Sequence, residues 1–426
     1  MERFRRLGIL ENILKVIKEE NFEKPSEIQE KSIPLILAGK DVIGGSATGS
    51  GKTLAFGSGI IQKTERRRGI QAVILTPTRE LAEQIKKALK KFSKHKGLEV
   101  IAIYGGVSIN PQFHKLRDAD VVVGTPGRML DHLQRGTIDL RNVKILVLDE
   151  ADRMLDMGFI EDVEKIISQC PKERQTMLFS ATIPPELAEL SRKYMKDPVK
   201  VSAESYVDPK KLKQVYYDVQ DNLKFSLLVH LLKHEKAALV MVFCNSRKTV
   251  DFVSNNLRTN GVDAQAIHGG FSQSQRDRAM KEFHSKNAHV LVCTDVAARG
   301  LDIKGVSHVY NYDSPKESKQ YIHRIGRTAR AGKEGIAINL IGGRDHENFS
   351  RVLRDYDVQI PKEQTPYIER VHIKWRESPR VGFGHGHSGF RGHGRPRGHS
   401  GPRHGSGHSR PGHGRGTHRG PRHYHR

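Results

Sequence analysis

Short runs of branched and apolar residues alternate with polar, lysine-rich stretches, and the chain goes through this alternation twice. The runs of the first half include 72–75, 100–104, 120–123, 145–148 and 177–179, and those of the second include 239–244, 264–268, 289–293, 308–312 and 336–341. They are rich in Val and Ile and apolar at successive positions, the pattern of parallel strands buried between two helix layers. The intervening stretches, such as 80–95, read as amphipathic crossover helices. Residues 202–213 carry Asp208-Pro209 and few apolar side chains, which marks a linker. The expectation is an α/β chain with two domains, 1–202 and 214–362, each a mostly parallel sheet between helices. Segment 203–213 joins them, 363–377 is a connecting segment, and 378–426 is a tail. Neither half has the two-residue turns of a meander, which argues against an all-β fold.

Charge narrows the partners. Lys and Arg number 72 against 48 Asp and Glu, a formal net charge of +24, so the chain suits a polyanion: nucleic acid or an acidic membrane surface. No run of eighteen apolar residues offers a spanning helix, and residues 1–10 lack the apolar core of a secretory signal. Cys170, Cys244 and Cys293 are far apart and form no CxxC pair. That argues against a zinc site or a disulfide framework and points to a reducing cytoplasm.

Two motifs carry chemistry. Residues 43–53, Ile-Gly-Gly-Ser-Ala-Thr-Gly-Ser-Gly-Lys-Thr, sit between a short strand and a helix-like stretch. Gly49 and Gly51 permit a tight turn whose backbone N–H groups face a phosphate. Lys52 supplies a point charge for the β and γ phosphates, and Thr53 offers a hydroxyl to Mg²⁺. Ser46 stands where the general phosphate-loop pattern has its first glycine. About a hundred residues on, four apolar strand residues run straight into Asp149-Glu150-Ala151-Asp152. A parallel strand delivers its carboxyl end to the same crevice as the phosphate loop. There Asp149 can hold Mg²⁺, partly through water, and Glu150 can orient and deprotonate an attacking water.

Asp149-Glu150-Ala151-Asp152 spells the signature of DEAD-box RNA helicases, and residues 1–365 resemble that family with its motifs in order. Phe22, Pro25 and Gln29 are similar to the Q motif, with Gln29 implied to read the adenine edge and Phe4 resembling the upstream aromatic. The phosphate loop is Ser46, Ala47, Thr48, Gly49, Ser50, Gly51, Lys52 and Thr53, where the family usually has Ala in place of Ser46. Pro77, Thr78 and Arg79, then Gly105 and Gly106, then Thr125, Pro126, Gly127 and Arg128 match RNA-facing segments. Ser180-Ala181-Thr182 matches the motif that couples hydrolysis to unwinding, and the resemblance implies a hydrogen bond from it to Asp152. In the second half, Arg247, and Gln273 with Arg276, resemble motif IV and its companion. Residues 294–302 are similar to motif V: Thr294 and Asp295 are implied in RNA binding, Gly300 and Asp302 in nucleotide binding. Residues 323–330 match motif VI, with His323 and Arg324 at the coupling interface and Arg327 and Arg330 as the catalytic cations. The resemblance implies two RecA-like domains.

The chemistry explains why two domains are needed. Phosphoryl transfer spreads negative charge over the γ-phosphate, and Lys52 with Mg²⁺ neutralises only part of it. Arg327 and Arg330 share a helix face and would supply the rest from the other domain, so hydrolysis requires closure. Arg79, Arg128, Arg247 and the hydroxyl and backbone groups beside them suit phosphate and sugar oxygens, not base edges. Single-stranded and short duplex RNA, bound without sequence preference and by a monomer, is therefore the expected partner, with ATP and Mg²⁺ as cofactors. The expected activity is RNA-stimulated ATP hydrolysis coupled to local unwinding or remodelling. The alternatives are an ATP-dependent RNA clamp or scaffold whose turnover is incidental and, more remotely, a DNA helicase.

Residues 378–426 hold ten arginines, ten histidines and no acids. Such a composition cannot bury enough apolar surface to offset its ordering entropy, so disorder is expected. Arginine among glycines suits nonspecific RNA contact. Deleting 378–426 should weaken RNA affinity and flatten its salt dependence by a slope of at most about seven on single strands. The hydrolysis rate at saturating RNA should stay nearly unchanged, and a large fall in it would contradict this reading.

Overall fold

The computed structural model describes residues 1–45, 50–203, 212–235, 237–285, 287–298, 303, 305–328 and 335–374. The tail 378–426 and most of the linker, 204–211, lie outside the described residues.

Two wholly parallel sheets organise the chain. The first lobe contains β1 (Val42–Gly45), β2 (Ala72–Leu75), β3 (Val100–Ile103), β4 (Val121–Gly124), β5 (Ile145–Asp149), β6 (Gln175–Ser180) and β7 (Val199–Ser202), in the order β3-β4-β2-β5-β6-β1-β7. The second contains β8 (Lys213–Asp218), β9 (Leu239–Phe243), β10 (Ala264–Ile267), β11 (Val290–Cys293), β12 (Val306–Asn311) and β13 (Ile336–Ile341), in the order β10-β11-β9-β12-β13-β8. Alternate residues of the first sheet enter two separate cores. Ile74, Val123, Val147 and Phe179 pack on one face, while Val73, Leu75, Leu146 and Leu148 pack on the other. Burial on both faces is why these strands are apolar at every position.

Two edge strands escaped the sequence reading. β7 alternates lysine and serine with valine and is only half covered, so it reads as polar. β8 begins at Lys213, inside the segment read as linker, and pairs in parallel with β13. Past the last helix, His346–Tyr356, the chain does not simply connect. Ile368, Val371 and Ile373 pack against the core of the second lobe. Asn256 accepts from Lys374 N at 2.7 Å, and Asn260 Nδ2 donates to the His372 carbonyl at 2.9 Å. Residues 361–374 thus form a strap across the second lobe.

Pairing sets where the chemistry can lie. β6 stands between β1 and β5, with Gly45 level with Ser180 and Asp149 level with Phe179. The carboxyl ends of β1, β5 and β6 therefore open into one crevice, the usual ligand position of such sheets. Gly44 precedes the phosphate loop and faces Phe179: a Cβ there would fall 2.4 Å from the ring. Phe179 is fully buried and tilted against Phe56, with ring centroids 5.7 Å apart, so it has little room to yield. Gly44→Ala should destabilise the chain by about 1–3 kcal/mol in urea unfolding. Combined with Phe179→Leu, the two losses should add to less than their sum, because the smaller side chain relieves the clash.

Candidate active site between the two lobes

The phosphate-loop residues Ser46, Ala47, Thr48 and Gly49, together with Gly300, Asp302 and Arg330, lie outside the described residues. The walls around them are clear. Lys52 opens helix Lys52–Lys63 from a cap at Gly51, whose φ of 95° needs glycine. Ser26 and Gln29 clamp that turn: Ser26 Oγ donates to the Ser50 carbonyl at 2.7 Å, and Gln29 Nε2 to the Gly51 carbonyl at 3.0 Å. Gln29 Oε1 accepts from Ser26 N at 3.0 Å, closing a capping box on helix Glu27–Leu37. Gln29 thus holds the phosphate turn rigidly. Phe22 is 40% exposed and leans on Phe92 with centroids 6.2 Å apart. Phe4 has no exposed surface and belongs to the first lobe's core. It supports this end of the lobe by packing and is closed to direct ligand contact.

β5 ends in a concentration of buried charge. Lys52 Nζ lies 3.4 Å from Asp149 Oδ1, with both side chains almost fully enclosed. Burial pushes the Asp149 carboxyl above its ordinary range, and Lys52 only partly opposes that shift. Glu150 occupies the left-handed region at φ 55°, ψ 49°, turning the strand abruptly into helix Ala151–Asp156. A non-glycine residue there stores strain of order 1–3 kcal/mol, which the surroundings must impose. Arg153, one turn on, donates to Glu150 Oε2 at 2.6 Å, and both are buried. Glu150 Oε1 is buried with no hydrogen-bond partner among the described residues. Asp152 receives Thr182 N and Oγ1, both at 3.1 Å, while its own N donates to Ser180 Oγ at 3.0 Å. Burial alone would raise the Asp152 carboxyl, but Ser180, His323, Arg153 and Lys52 outweigh it and hold the group below its ordinary value.

The second lobe brings helix Ser318–Ile325 and the turn after it to the same place, so Arg327 lies past the helix end and not on the helix face expected from its spacing to Arg330. His323, Arg324 and Arg327 line a small cleft together with Arg153 of the first lobe. Arg327 is buried, 3% exposed. Arg324 works within its own lobe. Fully buried, it grips both oxygens of Asp295 at 2.7 Å and reaches Asn245 Oδ1 at 2.8 Å and the Asp313 carbonyl at 2.6 Å. It locks three strand ends together, and it engages both carboxylate oxygens of Asp295, expected to face RNA.

Successive strand ends gather the segments expected to face RNA. β2 runs into Pro77, Thr78 and Arg79, β3 into Gly105 and Gly106, and β4 into Thr125, Pro126 and Arg128. Thr78 caps helix Arg79–Phe92. Gly106, at φ 80°, packs so closely on Arg79 that a Cβ would fall 2.8 Å from Nη1. Arg128 donates to the Val107 carbonyl at 2.9 Å, and its Nη1 is buried without a partner among the described residues. In the second lobe Arg247 opens helix Arg247–Thr259 after a Ser246 cap, and Thr294 follows β11. Gln273 donates to Asp277 at 2.7 Å. Arg276, expected on RNA, reaches across the lobes to Glu80 at 2.8 Å. The sequence reading missed Arg153 and Glu80, though Arg153 lies three residues from Glu150, on one helix face.

Comparison with known proteins fits this geometry. The DEAD/DEAH box helicase family matches residues 26–190, and the helicase conserved C-terminal domain matches 223–332. The chain is 42% identical over 375 residues to the DEAD-box ATP-dependent RNA helicase CshA of Bacillus cereus, covering 87% of this chain and 71% of that protein. It is 45% identical over 349 residues to the ATP-dependent RNA helicase CshA of Listeria monocytogenes, covering 81% and 67%. The structure of Saccharomyces cerevisiae Dbp5 bound to RNA and ADP–BeF3 matches with a TM-score of 0.78 at 32% identity, covering 86% of this chain and 96% of that one. A DEAD box protein from Methanococcus jannaschii matches with a TM-score of 0.54 at 42% identity, covering 85% and 99%. Both halves of the chain, in order and over most of its length, thus belong to the DEAD-box family of ATP-dependent RNA helicases, enzymes that hydrolyse ATP to unwind or remodel RNA.

Proposed function

We propose that ATP is hydrolysed only when the two lobes close on ATP and single-stranded RNA together, and that closure pries apart short duplexes locally, without reading sequence. The observation that carries this is the shared cleft: Arg153, bound to the water-activating Glu150, lines it from one lobe, and His323 and Arg327 line it from the other. The shape match supports it too. The Dbp5 structure with RNA and ADP–BeF3 agrees better in TM-score than the archaeal protein, although it is less similar in sequence.

The chemistry divides among the residues accordingly. Gln29 reads the adenine edge while fixing the phosphate turn, and Phe22 offers an exposed ring beside it. Lys52 and Arg327 take up charge on the γ-phosphate, joined by Arg330. Glu150 Oε1, buried and unpartnered, accepts the proton-bearing edge of the attacking water. The donor set also fits Mg²⁺: Asp149 is a buried carboxylate whose charged form needs more cation than Lys52 gives, and the Thr53 hydroxyl follows Lys52. Among the described residues no three His, Cys, Asp or Glu side chains converge as a metal cage, which suits an ion that takes its other ligands from phosphate and water. Such an ion would neutralise phosphate charge.

RNA is read through its backbone and 2′-hydroxyls by the strand-end segments and Arg79, Arg128 and Arg247. Arg276 and Asp295 shape that surface through Glu80 and Arg324 instead of contacting RNA by free charge. Acids and arginines come from one chain, so a monomer suffices. A cytoplasmic site of action accords with three buried, free cysteines. Among the described residues no helix is long and apolar enough to cross a membrane.

Phosphate release with no nucleic acid, RNA or DNA, paired with strand displacement, tests the reading: RNA alone should stimulate strongly, and displacement should need ATP. Glu150→Gln should keep ATP and RNA binding, trap the closed state and slow turnover by about 10² or more. Arg327→Ala should slow it by about 10³ or more. Arg153→Met should cost about 3 kcal/mol in urea unfolding, since it strands the Glu150 carboxylate in a buried site.

A further inference from the structure

Two helices face each other across the cleft with matching charge patterns. Helix Ala151–Asp156 of the first lobe carries Asp152 and Asp156 one turn apart. Helix Ser318–Ile325 of the second carries Lys319 and His323 at the same spacing. Residues four apart share a helix face. His323 acts electrostatically on Asp152, and Lys319 Nζ reaches Asp156 Oδ1 at 2.6 Å. The lobes are therefore joined by two electrostatic rungs. The inner rung belongs to the coupling machinery, since Ser180 and Thr182 hold the same Asp152. The outer rung lies one turn further out; neither of its residues belongs to the motifs above, and neither lines the cleft of His323 and Arg327.

We propose that the Lys319–Asp156 pair is a closure latch that lowers the RNA concentration at which the enzyme turns over, without touching either ligand. The inference rests on the closure reading above. A contact present only in the closed arrangement adds its whole free energy to that arrangement, and every ligand that requires closure gains apparent affinity in proportion. Lys319 also lies 3.9 Å from Glu317 of its own lobe. Parting of the lobes leaves it that neighbouring acid, so opening does not strand the ammonium. Both residues are accessible, with side-chain exposures of 41% for Lys319 and 20% for Asp156, which keeps the effect modest and sensitive to salt. Latching here is a positioning role: it sets how readily Arg327 is delivered, not what Arg327 does.

The test is a charge-reversal cycle read by RNA-stimulated ATP hydrolysis. Lys319→Glu and Asp156→Lys should each raise the half-saturating RNA concentration by about three- to tenfold. The rate at saturating RNA should remain within about twofold of the parent, because the chemistry is untouched. The double variant Lys319→Glu/Asp156→Lys should return half-saturation to within about twofold of the parent, a rescue that damage to either lobe alone would not give. Parent-like half-saturation in both single reversals, or a double variant no better than the singles, would overturn the latch. Arg327→Ala is measured alongside: lost turnover there with silent reversals sinks the latch alone, whereas intact turnover removes the closure on which it depends.

Discussion

Burying the acids at the end of β5 is unfavourable unless cations meet them, and the rest of the site follows from how that demand is satisfied. Asp149, Glu150 and Asp152 are each at most 5% exposed. An isolated carboxylate in such a place is destabilising, and a paired one is tolerated only with good geometry. Lys52 answers Asp149 and Arg153 answers Glu150, both from the same lobe. His323 and Arg327 approach from the other lobe. The acids of the crevice thus draw basic side chains from both lobes, and such a setting suits a triphosphate.

Parallel pairing turns this local balance into a machine. It brings the ends of β1, β5 and β6 to one crevice and the ends of β2, β3 and β4 to an adjoining surface. The proposed nucleotide and RNA sites therefore lie along one edge of one sheet. The second lobe meets both: Arg327 in the cleft beside Arg153, and Arg276 on Glu80 beside the segments proposed to face RNA. A lobe that must contact both regions links the two ligands, and linkage of this kind is reciprocal.

Much of this was legible in the residues. Strands buried on both faces announced themselves, because apolar residues at every position have few other uses. Asp149 and Glu150 were legible because two acids straight after a buried strand need a reason to be there. The edge strands β7 and β8 were not, since half-covered strands in which polar residues such as Lys200, Ser202, Lys213 and Asp218 interrupt the apolar ones resemble linkers. Side-chain partners were the hardest to see. The resemblance placed Asp295 and Arg276 on RNA, but Arg324 and Glu80 pair with them, and such pairing depends on how strand ends converge in space. Phe4 was placed at the nucleotide by its resemblance to the upstream aromatic, yet its ring is fully buried in the first lobe's core. Lys319 and Asp156 lie 163 residues apart, and nothing local links them.

The central claim is that acids of one lobe and arginines of the other enclose a single triphosphate. A structure of the protein with RNA and ADP–BeF3 tests it most directly. In that complex the Arg327 guanidinium should lie within hydrogen-bond reach of the beryllofluoride, with Glu150 on the side of the attacking water. An Arg327 side chain directed away from the nucleotide in that complex would contradict it.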